Sequence, residues 1–273
     1  MTNDDFEPIS SFQNSRIKQI KRLRDKRGRE REGRFVIEYS RDLARALDCD
    51  YTVDYALFCP ALADDDDRAL VGQLPVVFSV SAALMQKASY RQNPNGLLAV
   101  LHSKPLPGLD DLTAHDVDGT LLVLVGLRKP GNIGALLRTA DAAGIKTVVL
   151  VDTALDIENP NIIRSSTGAC FLNNLYGLTS DEARAYFDRA AYTVCAAVVD
   201  APMTLYDAHL TGRIALVLGT EDIGLDEDWQ SYAQQQIHIP MRGVLADSLN
   251  VSVSGAVLMY EALRQRRLLD NHL

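Results

Sequence analysis

The sequence is short of the features that mark secreted, metal-bound or membrane-embedded chains. Its four cysteines (Cys49, Cys59, Cys170, Cys195) contain no CxxC pair and no spacing matched to His102, His115, His209 or His238, so neither a disulfide framework nor a metal site is signalled. Long apolar runs are missing too: the stretch Leu121 to Leu127 falls far short of the ~20 residues a membrane helix needs. The opening MTNDDFEPISS is acidic and lacks the basic-then-apolar order of a signal peptide. These absences lead us to expect a soluble, cytoplasmic protein with no membrane partner. An excess of positive charge is also lacking, since 28 Lys and Arg stand against 36 Asp and Glu, for a net charge of −8. Taken as an average, that argues against a nucleic-acid partner. What is present is apolar bulk: 47% of the 273 residues are hydrophobic, enough to bury the core of one large or two modest domains and to exclude wholesale disorder.

The average conceals an asymmetry. From Arg16 to Arg34 ten basic residues (Arg16, Lys18, Lys21, Arg22, Arg24, Lys26, Arg27, Arg29, Arg31, Arg34) face three acids (Asp25, Glu30, Glu32), a balance of +7 that leaves −15 on the remainder. Such a run is commonly a solvated face. It is also what a phosphate backbone requires, because each cation near a phosphate releases a condensed counterion.

Composition divides the chain. PLPGLDDLTAHDVDG, residues 105–119, combines Pro, Gly and Asp with little apolar periodicity and reads as a linker. Before it, a tail (1–15) precedes a small α/β unit (16–104). That unit has FVIEYSRDLARALD as strand then helix, strand-like pieces at Tyr55 to Cys59 and Val76 to Val80, a helical pattern at Ser81 to Ala88, and an exposed loop at Asp64 to Asp67. After it (120–273) come LLVLVGL, TVVLV, TVCAAVV, RIALVLG and QIHIPM, separated by helical patterns. Continuous Val/Leu/Ile runs alternating with helices predict a parallel sheet covered on both faces. Ligands in such folds lie at the carboxyl ends of the strands.

Three segments follow those ends. In GLRKPGNIGALLRTADAAGI (Gly126 to Ile145), Pro130 and Gly131 make a turn, Asn132 can cap a helix and Arg138 lies six residues on. A helix N-terminus with Arg128 and Lys129 beside it suits a phosphate or nucleotide. The segment lacks both the GK[ST] of a P-loop and the GxGxxG of a dinucleotide fold. An ordinary capped helix with Arg138 in a surface ion pair is the plainer alternative. In LVLGTEDIGL (Leu216 to Leu225), Gly219 and Gly224 flank Thr220 and Glu221, a loop that backbone and ligand can approach closely or a common turn. In IHIPMRGVLADSLNVSVSGAVLMYEALRQR (Ile237 to Arg266), Asp247 or Ser248 can start a helix. Its apolar face, Leu249, Val253, Ala256, Tyr260 and Leu263, is suited to core or dimer packing. The polar group Ser248, Asn250, Ser252 and Ser254 in its first turns is not explained by packing or by helix propensity.

In this order NIGALLRTADAAG, LVLGTEDIG and IPMRGVLADSLNVSVSGAVLMYEA resemble the three motifs of the SpoU (TrmH) family of RNA ribose 2′-O-methyltransferases, of the SPOUT class. SRIKQIKRLRDKRGREREGRFVIEYSRDL and RQNPNGLLAV, the latter from Arg91 to Val100, are similar to the family's small substrate-binding domain. One departure is visible: the second motif commonly reads Glu-Gly, and this chain has Glu221-Asp222.

The resemblance implies an α/β fold whose C-terminal parallel sheet carries a deep trefoil knot, preceded by a small α/β RNA-binding domain. It further implies a homodimer using S-adenosylmethionine, with S-adenosylhomocysteine as product and no metal. The cofactor would be held by Leu218, Gly219, Ile239, Met241, Ser248, Leu249 and Asn250. Arg138 would serve catalysis, with Asn132 and Glu221 orienting it and the RNA phosphate. Lys18, Lys21, Arg22, Arg24, Arg128 and Lys129 would contact structured RNA, with ribosomal RNA, most specifically 23S, favoured over transfer RNA, and no DNA. Other readings are a transfer-RNA methyltransferase, a non-enzymatic RNA-binding protein retaining the fold, and a small-molecule nucleotide enzyme.

Overall fold

The computed structural model describes residues 6–113, 119–153, 156–172 and 174–270. The chain divides into two compact units, one formed by residues 1–105 with 156–172 and the other by 106–155 with 173–273. This differs from a single boundary at a linker. Residues 156–172, inside the run of parallel strands, fold with the first unit, and the expected linker contains a short helix; its residues 114–118 lie outside the described residues.

The first unit holds β1 (Glu7–Ile9), α1 (Ser15–Arg22), α2 (Lys26–Glu32), β2 (Arg34–Ile37), α3 (Ser40–Asp48), β3 (Val53–Phe58), α4 (Asp65–Val71), β4 (Val77–Val80), α5 (Ala82–Ala88) and β5 (Leu97–His102). Its sheet runs β1-β4-β3-β5-β2, with β1, β4 and β3 parallel and β5 antiparallel to β3 and β2. Residues 7–9 of the expected tail are thus an edge strand. The apolar side of α1, Ile17 and Ile20, packs with Leu57, Phe78 and Val100 in a core that water does not reach; each such side chain contributes about 1.5–3 kcal/mol of burial. The acidic run is no exposed loop. Asp64 caps α4 through a capping box with Asp67, whose carboxylate is buried and accepts from Ser40 Oγ and Gly96 N.

The second unit contains α6 (Leu109–Thr113), β6 (Thr120–Val125), α7 (Pro130–Ala142), β7 (Thr147–Val151), β8 (Leu175–Leu178), α9 (Ser180–Arg189), β9 (Thr193–Ala197), β10 (Met203–Thr204), β11 (Ile214–Leu218), α10 (Glu227–Tyr232), β12 (Gln235–His238) and α11 (Val251–Asp270). The remaining helix, α8 (Pro160–Ser166), belongs to the first unit. Seven strands pair in the order β10-β12-β9-β11-β6-β7-β8, and every pairing is parallel. Every residue of β6, β7 and β11 is buried, which is why these strands read as unbroken aliphatic runs. The five strands expected from the sequence are β6, β7, β9, β11 and β12. LYGL of β8 and the two-residue β10 are too short and too interrupted to stand out.

The last helix packs closely because Gly255 lies against Leu136 and Leu218: a Cβ there would stand 2.3 Å from Leu136 Cδ2. Leu258, Met259 and Ala262 are buried on this side. Of the face offered for packing, Leu249, Val253 and Tyr260 are exposed among the described residues, Val253 and Tyr260 about half, while Ala256 and Leu263 are partly buried.

Candidate functional site

The loops after β6 and β11 and the segment entering α11 meet at the carboxyl edge of the parallel sheet. Pro130 occupies the first turn of α7, where a missing N–H costs nothing, and the N-cap is Lys129, not Asn132. Asn132 is turned to another use. Its Nδ2 donates to Glu221 Oε1 at 3.0 Å, and its Oδ1 accepts from Asn250 Nδ2 at 3.2 Å. Glu221 also accepts from the Lys129 backbone N–H at 3.2 Å. Asn250 Oδ1 in turn accepts from Ser252 N and Oγ at 2.9 and 2.6 Å. Asn250 thereby caps α11, a role the sequence offered to Asp247 or Ser248.

One residue from each of the three motifs is therefore joined in a single chain, Glu221 to Asn132 to Asn250. The donor and acceptor ends of both amides are fixed by it. Burial raises the Glu221 pKa, but hydrogen bonds from Asn132 and from the backbone at Lys129 and Arg128 outweigh this and hold the carboxyl below its ordinary value. An ionised carboxylate thus sits at the positive end of α7. Glu221, an anion of the chain itself, is held at the N-terminus where the sequence leads us to expect a phosphate or nucleotide.

Arg138 is exposed on α7 and, among the described residues, makes no hydrogen bond or ion pair. The arrangement does not bring it to Asn132, Glu221 or Asn250, and the surface ion pair offered as its plainer role is not formed. Arg128 is likewise exposed with its guanidinium free among the described residues, while Lys129 Nζ lies 3.4 Å from Asp222 Oδ1. The departure Glu221-Asp222 therefore links the second motif to the loop before α7 by an exposed pair, which is worth little by itself.

Beside this chain lies a cleft of about 720 Å³. Leu218, Gly219, Ile239, Met241, Ser248 and Leu249 line it; Asn250 does not, being engaged with Asn132. Gly219 is dictated by a close approach, since a Cβ would lie 2.2 Å from the Gly224 carbonyl carbon, where Thr220 and Gly224 exchange backbone hydrogen bonds. The sequence reading missed Val198 to Asp200, Gln236 and His238 on the walls. The rule that ligands collect beyond strand carboxyl ends, applied to TVCAAVV, could have found Val198 to Asp200. Nδ1 of His238 is buried and has no partner among the described residues. Among the described residues no group of His, Cys, Asp and Glu is placed to hold a metal, and no helix is long and apolar enough to cross a membrane.

In the first unit the basic segment is largely engaged. Arg29 is 3% exposed, pairs with Asp156 at 2.6 Å and donates to the Leu23 and Arg24 carbonyls. Arg24 donates to the carbonyls of Ala88 and Ser89 at the end of α5, Arg22 pairs with Glu32, and Arg34 with Asp54. Arg16 lies over the Phe78 ring, and Lys26 and Arg31 meet Glu30 and Glu32. Lys18, Lys21 and Arg27 make no such contact among the described residues.

The family model of the SpoU rRNA methylases matches residues 119–260, and that of the MRM3-like substrate-binding domain matches residues 14–99. An uncharacterized tRNA/rRNA methyltransferase of Synechocystis is 30% identical over 275 residues, covering 96% of this chain and 95% of that protein. The 23S rRNA (guanosine-2′-O-)-methyltransferase RlmB of Escherichia coli is 34% identical over 159 residues, 58% of this chain and 65% of the enzyme. Among solved structures, an RNA 2′-O ribose methyltransferase superposes with a TM-score of 0.81 at 36% identity, covering 95% of this chain and 99% of its own. AviRb of Streptomyces viridochromogenes, a SpoU methyltransferase in complex with AdoMet, gives 0.81 at 26% identity, covering 93% and 99%. With its three motif loops joined and a family match across more than half its length, the chain is a member of the SpoU rRNA methylase family.

Proposed function

We propose that the protein transfers the methyl group of S-adenosylmethionine to a ribose 2′-hydroxyl of RNA in the cytoplasm, with ribosomal RNA as substrate. The observation that carries this is the Glu221-Asn132-Asn250 chain, which ties the three motif loops together beside the cleft. The names of the RlmB and AviRb relatives favour the same substrate class and cofactor.

The cleft suits the cofactor. Its volume lies within the range of pockets that hold ligands of this size, and Leu218, Ile239 and Leu249 offer apolar walls. When bound, S-adenosylmethionine supplies an electrophilic methyl on a sulfonium. Glu221, ionised and committed to Asn132 and Lys129, holds the first and second motif loops in place and is a poor base. Arg138 carries a fixed positive charge on an open surface. A guanidinium does not give up its proton in proteins, so its part is to stabilise the developing 2′-alkoxide while a phosphate oxygen of the RNA takes the proton.

The uncovered α11 face and the exposed loop residues Val244 and Leu245 provide apolar surface for a second copy of the chain. In this reading the working form is a homodimer, and the segment leading into α11 forms the family's trefoil knot. The testing experiment is methyl transfer by the Arg138→Ala variant. We expect at least a 100-fold loss in turnover, the scale of removing one stabiliser of developing charge, with S-adenosylmethionine binding by calorimetry unchanged. Transfer at the parent rate would refute the assignment of Arg138.

A further inference from the structure

The cleft beside the motif loops is lined by charge of one sign. Its acidic lining residues are Asp200, Glu221, Asp222 and Asp247, and no Lys or Arg stands among them. They arrive from three strand ends: Asp200 follows β9, Glu221 and Asp222 follow β11, and Asp247 follows β12. The sheet order β12-β9-β11 sets these ends side by side, so the acidic lining is a convergence of loops distant in sequence and not one solvated run. Lys129, the partner of Asp222, and Arg242, next to Met241, do not line the cleft.

Two of these carboxylates are committed within the chain. Glu221 accepts from Asn132 and from the Lys129 backbone, and Asp222 faces Lys129 Nζ. Asp200 and Asp247 are exposed and make no hydrogen bond or ion pair among the described residues. The backbone that bears Asp200 is nevertheless fixed. Ala201 N donates to the Val198 carbonyl at 3.3 Å to close a turn, and Val198 N donates to the Ile237 carbonyl at 3.0 Å to tie that turn to β12. Asp200 thus stands between the second-motif loop and the segment that enters α11, with no structural partner to account for it. A cleft that joins one sign of charge to apolar walls, here Leu218, Ile239 and Leu249, concentrates its field on whatever it holds.

Resting on the reading of this cleft as the cofactor site, we propose that Asp200 and Asp247 make it selective for charge: they favour S-adenosylmethionine, which carries one net positive charge, over S-adenosylhomocysteine, which carries none. Apart from that charge the two ligands differ only by the methyl group. Methyl transfer breaks the S–CH3 bond with its electron pair left on sulfur, forms the O–CH3 bond at the ribose, and passes the hydroxyl proton to an RNA phosphate oxygen. The sulfonium charge is absent from the product, so the electrostatic hold weakens on turnover and the cleft is freed for a new cofactor. Both residues act on binding and take no part in the proton transfer.

The test is calorimetry of the full chain with S-adenosylmethionine and, separately, S-adenosylhomocysteine at neutral pH and at low and high salt. The double variant Asp200→Asn, Asp247→Asn keeps size and removes charge. It should bind S-adenosylmethionine about fivefold more weakly than the parent does and S-adenosylhomocysteine within about twofold, the scale of unit charges a few Å apart in water. In the parent, added salt should weaken S-adenosylmethionine more than S-adenosylhomocysteine, and this difference should shrink in the variant. Both residues are exposed and without partners among the described residues, so the variant keeps the fold. Equal or greater weakening of S-adenosylhomocysteine would show that the carboxylates hold a group the two ligands share, and unchanged binding of both would show that they hold none; either result overturns the proposal. The parent also separates the cases: binding of both ligands with a variant blind to their charge removes only the selectivity, and binding of neither ligand removes the reading of the cofactor site as well.

Discussion

Arginine is used differently in the basic segment of the first unit and at the first motif of the second. In the first, Arg29 is buried against Asp156 and the end of α1, and Arg24 closes the last turn of α5, so much of the +7 segment is spent on holding the unit together. In the second, Arg128 and Arg138 stand exposed with no partner among the described residues, on a frame whose polar groups, Asn132, Glu221 and Asn250, satisfy one another. The contrast has a physical origin. A dense run of cations on two short helices must neutralise itself to fold, and neighbouring acids and carbonyls are at hand. A cation set alone on a helix beyond a buried strand has nothing within reach and remains available to a substrate. Charge density along a sequence therefore overstates the surface offered to RNA, and an isolated motif residue understates it.

Substitutions can break this contrast. The largest effect belongs to Arg138→Ala, at least 100-fold in transfer with little change in stability, because no partner is lost. Arg29→Ala should do the opposite. It strands Asp156 and two carbonyls, and we expect about 3 kcal/mol of destabilisation in denaturant unfolding, while S-adenosylmethionine affinity is kept. A loss of transfer without a loss of stability in that variant would contradict the structural role.

A second buried group sharpens the account of the first unit. Burial raises Glu158 from 4.5 to about 7, against hydrogen bonds from Ser103 and the Lys104 backbone. Because the folded pKa lies above the unfolded one, its contribution is fully present below about pH 4.5 and is lost as pH rises through 7. Glu158→Gln keeps an acceptor for Ser103 and removes the titration. Relative to the parent it should gain up to about 3 kcal/mol at pH 8 and little at pH 4, read as the difference in unfolding free energy. A difference independent of pH would refute the assignment.

The smallest effect is expected from the cations left free. Replacing Lys18, Lys21 and Arg27 with Gln should leave the fold intact and flatten the dependence of RNA affinity on salt by up to about three counterions. A loss of about two counterions on replacing Arg22 and Arg24 would show that the engaged arginines also face RNA.

The parallel sheet was legible because β6, β7 and β11 are buried on both faces and had to be written as aliphatic runs. Six of the seven positions expected to hold the cofactor line one cleft, for the same reason that loops after parallel strands converge. What could not be read is what depends on contacts distant in sequence. Asn132 looked like a helix cap because Glu221, its partner, lies 89 residues away. Asp64 to Asp67 looked like a loop because the groups that bury Asp67, Ser40 and Gly96, come from other elements. Residues 156–172 join the first unit through partners distant in sequence, Arg29 with Asp156, Ser103 with Glu158, and Phe35 and Tyr51 with Phe171, and no local pattern signals such pairs.

The central claim is tested most directly by incubating the protein with S-adenosylmethionine carrying a labelled methyl group and ribosomal RNA that lacks the modification, then digesting the RNA to nucleosides. The account predicts label on one 2′-O-methyl nucleoside with the parent and none with Arg138→Ala. Label on a base, or no transfer by a protein that binds both S-adenosylmethionine and the RNA, would contradict it.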